Sequence, residues 1–239
     1  MEEITQDPRY SIPLEILYQD EVMVAINKPN GLLVHRSPIA TNTNIYAVQE
    51  LRNQIGQKVS PAHRLDRKTS GILLFGLNLE SLSHLQSQFE NRTVHKTYYA
   101  IVRGYTEDEG LIDYPLTNDK GKTQEAITRY KTLEHTEIPV PFGKHATSRY
   151  SLVEVYPETG RMHQIRKHFA HILHPIIGDR PHGCNKQNKL FLEKWGLTEM
   201  LLHAIEIEFE HPVSGEKIKL KADYQSEFKR MLGILGFYA

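Results

Sequence analysis

The sequence has one cysteine, Cys184, in 239 residues, which excludes an internal disulfide and fits a reducing compartment. It has no net charge, 29 Lys and Arg balancing 29 Asp and Glu, so nothing global points to a polyanionic partner. No apolar run approaches the roughly 20 residues that cross a bilayer. Paired cysteines and an HExxH string, the usual marks of a zinc site, are missing, as is a glycine-rich nucleotide-binding loop. The opening segment carries Glu2, Glu3, Asp7, Glu15, Asp20 and Glu21 against a single base, Arg9, the reverse of a basic secretory leader. What is present is ordinary globular composition, 39% hydrophobic and 24% charged, in a length that supports a sizeable core. The expectation is a soluble cytoplasmic protein.

The charge is unevenly placed. Residues 160–189 hold six bases (Arg161, Arg166, Lys167, Arg180, Lys186, Lys189) against one acid, Asp179. Residues 61–104 hold six more (Arg64, Arg67, Lys68, Arg92, Lys96, Arg103) against three acids. If the two segments meet in the fold they make a local positive surface; otherwise they are ordinary surface charge.

Periodicity outlines the elements. Residues 1–13 read as a flexible arm. Short β-like runs occupy 15–18 and 22–28, stopped by Pro29 and the Asn30-Gly31 turn. Ile45, Val48, Leu51 and Ile55 predict a helix ending at Gly56. A polar loop over 61–71 precedes an apolar strand at 72–77, a helix through Leu82, Leu85 and Phe89, and a strand at 95–103. Residues 104–147 read as a connection with two more strands. A strand at 150–156, a helix at 161–173, a hairpin through Met200–Phe209 and Lys217–Leu220, and a C-terminal helix through Phe228 and Leu235 follow. The order is not a regular βαβ alternation, so the expected fold is α+β, with a mixed, mostly antiparallel sheet and flanking helices.

Three clusters concentrate reactive groups. In His63-Arg64-Leu65-Asp66-Arg67, an acid sits between bases on a loop before a buried strand. The cations favour the carboxylate needed by a nucleophile or charge stabiliser, although an ion pair pinning a loop uses the same residues. In Thr159-Gly160-Arg161-Met162-His163-Gln164-Ile165-Arg166-Lys167-His168, a helix would place His163, Arg166 and Lys167 on one polar face. Arg166 could pair with Asp66, or the face could simply be solvated. In Lys96-Thr97-Tyr98, alternation puts Lys96 and Tyr98 on one face of a strand, where a tyrosine can stack on a base or fill the core. His163, His168, His171 and His174 suggest a metal, but helical geometry turns His163 away from the others and no metal is expected.

In this order, His63-Arg-Leu-Asp66-Arg-Lys-Thr-Ser-Gly71, Lys96-Thr-Tyr98, Gly160-Arg-Met-His-Gln-Ile-Arg166-Lys-His168 and Leu202-His203-Ala204 resemble the motifs of the RNA pseudouridine synthase family over about residues 14–225. The resemblance implies a pseudouridine synthase fold over 14–239 with an active-site cleft and no appended RNA-binding module. By it, Asp66 is the catalytic aspartate that attacks ribose or base, and Arg166 is its paired arginine. Tyr98 stacks on the uracil and helps move a proton, Arg64 fills the gap left by the flipped base, and Leu202 lines the pocket. His63, Lys96, Arg161 and His163 are expected to contact substrate. Segments 27–37 and 174–183, with His35-Arg36-Ser37 and His182 in place of a common tyrosine, look most like the branch that acts on the T-stem uridine at tRNA position 65. A short-form ribosomal or dual-specificity synthase and a non-catalytic RNA-binding module remain as alternatives. A glycosidase would need a second carboxylate near Asp66. The reaction is an isomerisation that needs no cofactor, and the protein is expected to be a monomer with no metal and no membrane association.

Overall fold

A computed structural model describes residues 13–35 and 45–238 of the chain. The arm expected over 1–13 lies outside them except for Pro13, as do Arg36 and Ser37.

Two strands are buried along their whole length, β2 (Met23–Lys28) and β4 (Ser70–Gly76). Runs of this kind belong to strands covered on both faces, and their side chains divide accordingly. Val24, Ile26, Leu73 and Phe75 pack with Leu51 of α1 (Ala47–Ile55). Met23, Ala25, Ile72 and Leu74 pack with Leu85 of α2 (Leu79–Glu90). The pattern repeats in β5 (His95–Arg103) and β10 (Ser148–Pro157). Ile101, Tyr150 and Leu152 meet Phe191 of α4 (Asn185–Trp195) and Phe228 of α5 (Ser226–Leu235), while Ala100, Val102, Val153 and Val155 meet Phe169 of α3 (Gln164–His171).

The remaining strands are β1 (Glu15–Gln19), β3 (Ser60–Pro61), β6 (Glu109–Asp113), β9 (Ile127–Ile138), β11 (Leu202–Glu210) and β12 (Lys217–Lys221). Among the described residues these strands make one ten-stranded sheet in the order β1-β2-β4-β11-β5-β10-β9-β6, with β12 on β11 and β3 on β4. A separate hairpin joins β7 (Leu116–Thr117) to β8 (Thr123–Gln124). The named pairings are antiparallel except β4 with β11. The expected α+β fold with a mixed, mostly antiparallel sheet is therefore present.

Two expectations need correction. Residues 104–147 hold four strands, not two; in mostly polar β9 the apolar residues Ile127, Tyr130, Leu133 and Ile138 are too widely spaced to register as a run. Helix α4 lies between the helix expected at 161–173 and the hairpin from Met200, where no helix was expected; its first five residues, Asn185–Lys189, are all polar, so no apolar period marks its start.

The parallel β4–β11 pair positions the site. Its register sets His203 against Ser70 and Ala204 against Gly71, joining the end of the first motif to the last. A Cβ on Gly71 would lie 2.2 Å from the carbonyl oxygen of Ala204, and the residue has φ +107°, so only glycine fits. Gly71→Ala should therefore destabilise the protein by about 3 kcal/mol or more, read as a lower urea midpoint. An unchanged midpoint would contradict the tight packing of this pair.

Candidate active site

The loop between β3 and β4 carries Asp66. Leu65 anchors it in the core beside α1, and the amide of Thr69 donates to the carbonyl of Asp66 at 3.0 Å, closing the turn that presents the carboxylate. The segment after β2 holds the loop from behind. Fully buried Lys28 donates through Nζ to the carbonyls of Pro29 (2.9 Å), Leu32 (3.0 Å) and Arg67 (3.3 Å). The amide of Gly31 donates to Arg67 O at 2.8 Å, and Arg67 Nε returns a bond to Gly31 O at 2.9 Å. Asn30 Nδ2 donates to the carbonyls of Lys68 and Met200. Burial pulls the Lys28 ammonium down to about 7, against the opposing pull of the Asp66 carboxylate.

Arg166 joins the two motifs. Its Nη1 donates to Asp66 Oδ2 at 2.8 Å, while Nε and Nη2 grip Asp179 Oδ2 and Oδ1 at 2.9 and 2.8 Å. Arg166 is 6% exposed and Asp179 1%. Burial works against the guanidinium charge, but the bonds to Asp179 and Asp66 outweigh it and raise the Arg166 pKa. Asp179 has both oxygens occupied. Asp66 keeps Oδ1 toward His163, whose Nε2 stands 3.9 Å away.

Helix α3 begins at Gln164 and not at Arg161, which corrects the face expected from spacing. His163 precedes the helix in a left-handed conformation, φ 58° and ψ 27°, so His163, Arg166 and Lys167 do not form a helical stripe. The cause is Gln164. Its side-chain oxygen accepts from the Thr159 hydroxyl (2.6 Å) and the Arg161 amide (3.0 Å), while its amide group donates to Ile127 O and Thr128 Oγ1 on β9. These bonds consume the residues expected to form the first turn.

The expected site residues line one cleft of about 770 Å³: Asp66, Tyr98, Arg166, His63, Arg64, Lys96, Arg161, His163 and Leu202. The two basic segments do meet there. Five cations (Arg64, Arg92, Lys96, Arg161, Arg166) face three acids (Asp66, Glu90, Glu158). Lys96 and Tyr98 share the cleft face of β5 as alternation requires, while Tyr99 turns to the opposite core. Burial, and then the Asp66 carboxylate, push the Tyr98 hydroxyl pKa up, so the phenol keeps its proton. Burial lowers the Lys96 ammonium. Arg64 is exposed at the cleft. Arg161 Nε donates to Glu125 O at 2.9 Å. His63 stacks on Phe89 at 4.5 Å and accepts from the Leu74 amide at 3.2 Å, so one of its ring nitrogens is committed to β4.

The four clustered histidines scatter. His163 bonds His182, His168 bonds Thr128 and Tyr114, His171 stacks on Tyr114, and His174 bonds the Arg103 carbonyl. Among the described residues no three His, Cys, Asp or Glu side chains converge to hold an ion. Sequence reasoning missed Lys28 and the partnership of Asp179. Asp179 had a signal, being the one acid in the basic stretch 160–189. Lys28 follows Asn27 at the end of a strand that begins apolar, with nothing to say that its ammonium turns inward.

A family model described as RNA pseudouridylate synthase matches residues 22–171, and the chain belongs to that family of isomerases. A curated relative named tRNA pseudouridine synthase C from Vibrio parahaemolyticus is 45% identical over 231 residues, covering 92% of this chain and 94% of its own. Its namesake from Vibrio cholerae is 43% identical over 235 residues, covering 94% and 96%. Among solved structures, human RNA pseudouridylate synthase domain containing 4 superposes with a TM-score of 0.73 at 24% identity, covering 94% of each chain. The corresponding human domain containing 1 gives 0.71 at 21% identity, covering 93% and 94%. Both carry the same fold. Among the described residues no helix is long and apolar enough to cross a membrane.

Two predictions follow from the site's charges. Arg166→Met strands the buried Asp179 carboxylate and should cost about 3–5 kcal/mol, measured by urea unfolding; a loss below about 1 kcal/mol would place the pair on the weak scale of surface ion pairs. The second concerns acid. Burial holds His63 down to about 3 and His203 to about 4, against an ordinary 6.5. Both stay neutral when folded and take up a proton on unfolding below pH 6.5, so their contribution to stability falls as pH drops from there toward 4. Unfolding free energy measured across that range should decline less steeply in His203→Asn than in wild type.

Proposed function

We propose that the protein converts a uridine of tRNA to pseudouridine, with the T-stem uridine at position 65 as its target and Asp66 as the nucleophile. The observation that carries the reading is the Asp66–Arg166 pair on the wall of a basic cleft, with one carboxylate oxygen bound to the guanidinium at 2.8 Å and the other toward His163 of the same wall. The relatives named tRNA pseudouridine synthase C support the choice of tRNA, since each aligns over more than nine-tenths of this chain.

The reaction breaks the N1–C1′ bond, turns the uracil, and joins C5 to C1′, while one proton leaves C5 and one arrives at N1. Nothing is oxidised and no group is donated. As the glycosidic bond opens, positive charge grows on the sugar, and the Asp66 carboxylate captures or stabilises it as carboxylates do in retaining glycosidases. Arg166 holds Asp66 by one oxygen and aims it. A stacked uridine cannot reach Asp66, so it must leave the helix at a cost of a few kcal/mol. Tyr98 offsets this by stacking on the uracil, and Arg64 by occupying the vacated space. The protonated Tyr98 hydroxyl is suited to proton transfer once the base is held. His63, Lys96, Arg161, His163 and Leu202 complete the substrate contacts, the cations meeting phosphate and Leu202 meeting the base. A glycosidase reading fares worse. Asp179 has both oxygens on Arg166 and Glu158 pairs with Arg129, which leaves Glu90 as the remaining acid of the cleft beside Asp66.

The test is pseudouridine mapping by carbodiimide adduct and primer extension on unmodified tRNA and ribosomal RNA. Wild type should give one new stop in the tRNA T-stem, and Asp66→Asn none, while still folding and binding tRNA. An active Asp66→Asn protein would remove the proposed nucleophile, and a stop in ribosomal RNA alone would overturn the choice of substrate.

A further inference from the structure

Behind the cleft wall stands a histidine pair. His163 belongs to the wall, and its Nδ1 lies 2.9 Å from Nε2 of His182, with the rings edge to face. The backbone amide of His182 donates to Asp179 Oδ1 at 3.3 Å, so the carboxylate that grips Arg166 also seats the second histidine. The charged groups around the rings are Asp66, Arg166, Lys167 and Asp179. Burial lowers the pKa of both imidazoles, and both are neutral at physiological pH.

One hydrogen bond between two neutral imidazoles contains one proton, and its owner decides what His163 shows to Asp66. If His163 donated, its bare Nε2 lone pair would face Asp66 Oδ1 at 3.9 Å and repel the carboxylate. If His182 donates, His163 carries its proton on Nε2 and turns an N–H dipole toward that oxygen. The Asp66 carboxylate biases the pair toward the second arrangement, and the N–H that His182 then gives to His163 Nδ1 locks it. At 3.9 Å this contact is electrostatic and not a hydrogen bond, so it orients the oxygen without occupying it.

Building on the proposed reaction, we infer that His182 is a positioning residue: by donating to His163 it fixes the tautomer that holds the reactive oxygen of Asp66 toward the substrate. It acts through His163 and touches no reacting atom. Fixing a histidine tautomer through a buried partner is known to matter greatly to a neighbouring reactive group in serine proteases.

The experiment combines ¹⁵N NMR of histidine-labelled full-length protein with kcat and KM on unmodified tRNA, for wild type, His182→Phe and His182→Gln. In wild type the His163 signals should show a protonated Nε2 and a bare Nδ1. His182→Phe should show mixed tautomers and lose about tenfold or more in kcat at nearly constant KM. His182→Gln, whose amide can donate to Nδ1, should recover most of kcat. A wild-type His163 protonated on Nδ1 would overturn the inference, as would a His182→Phe protein that keeps full kcat or loses only in KM. The nitrogen signals are read without RNA. They decide the tautomer even if wild type makes no pseudouridine in any tRNA, the result that would sink the functional reading instead.

Discussion

The guanidinium of Arg166, shared between Asp66 and Asp179, is the interaction on which the site depends. Burying a cation is costly, and one carboxylate held by a single bond would compensate it poorly. Asp179 supplies two parallel bonds at 2.8 and 2.9 Å, the bidentate geometry that arginine matches and lysine cannot. Asp66 adds one bond and is a quarter exposed. The division of labour has a chemical consequence. If Asp66 loses its charge on forming a bond to substrate, Arg166 still has a full counter-ion in Asp179 and need not move. Under the proposed reaction, Asp179 serves as the permanent partner and Asp66 as the one free to react.

The sheet converts this local arrangement into a rigid one. The Asp66 loop enters β4, the arginine comes from α3, and Tyr98 lies on β5, with β11 between β4 and β5. On β11, Ala204 is in register with both Gly71 and Tyr98. The contacts at Gly71 are too close for any side chain, so the spacing between the Asp66 loop and Tyr98 cannot drift without breaking backbone pairing. Lys28 and Asn30 clamp the loop from the other side through main-chain carbonyls. Such bonds constrain where the backbone runs, not which residue it carries, and leave Arg64 and Arg67 exposed.

Much of this was legible because the deciding patterns are local. The apolar runs inside β2 and β4, the helix stop at Gly56, the alternation of Lys96 and Tyr98, and the cluster around Asp66 each fall within a dozen residues. The pairing of Asp66 with Arg166 spans 100 residues, and charge complementarity together with the motif order made it readable. Asp179 stayed hidden because proximity to six bases says nothing about which one it meets. The start of α3 was misplaced for a physical reason: Gln164 offers its own side chain to the donors of Thr159 and Arg161, and this tertiary link to β9 overrides helical spacing. Helix α4 escaped because its buried residues are confined to its second half and to Gln187, which bonds the Tyr150 hydroxyl.

Net neutrality and a basic cleft fit together once each cation's obligations are counted. Arg166 is spent on two carboxylates, Arg92 leans on Glu125, and Arg161 gives a bond to the Glu125 carbonyl. Arg64 has no ion pair among the described residues, and Lys96 is half-buried beside Tyr98. Few cleft cations are thus fully available to phosphates, and each phosphate contact adds affinity that falls steeply with salt without reading sequence. A protein built this way cannot hold RNA by charge alone. In the proposed reaction, selectivity then comes from the cost of unstacking one uridine and from what the cleft offers in return: an aromatic face on Tyr98, an apolar wall at Leu202, and a carboxylate held by Arg166 on one oxygen.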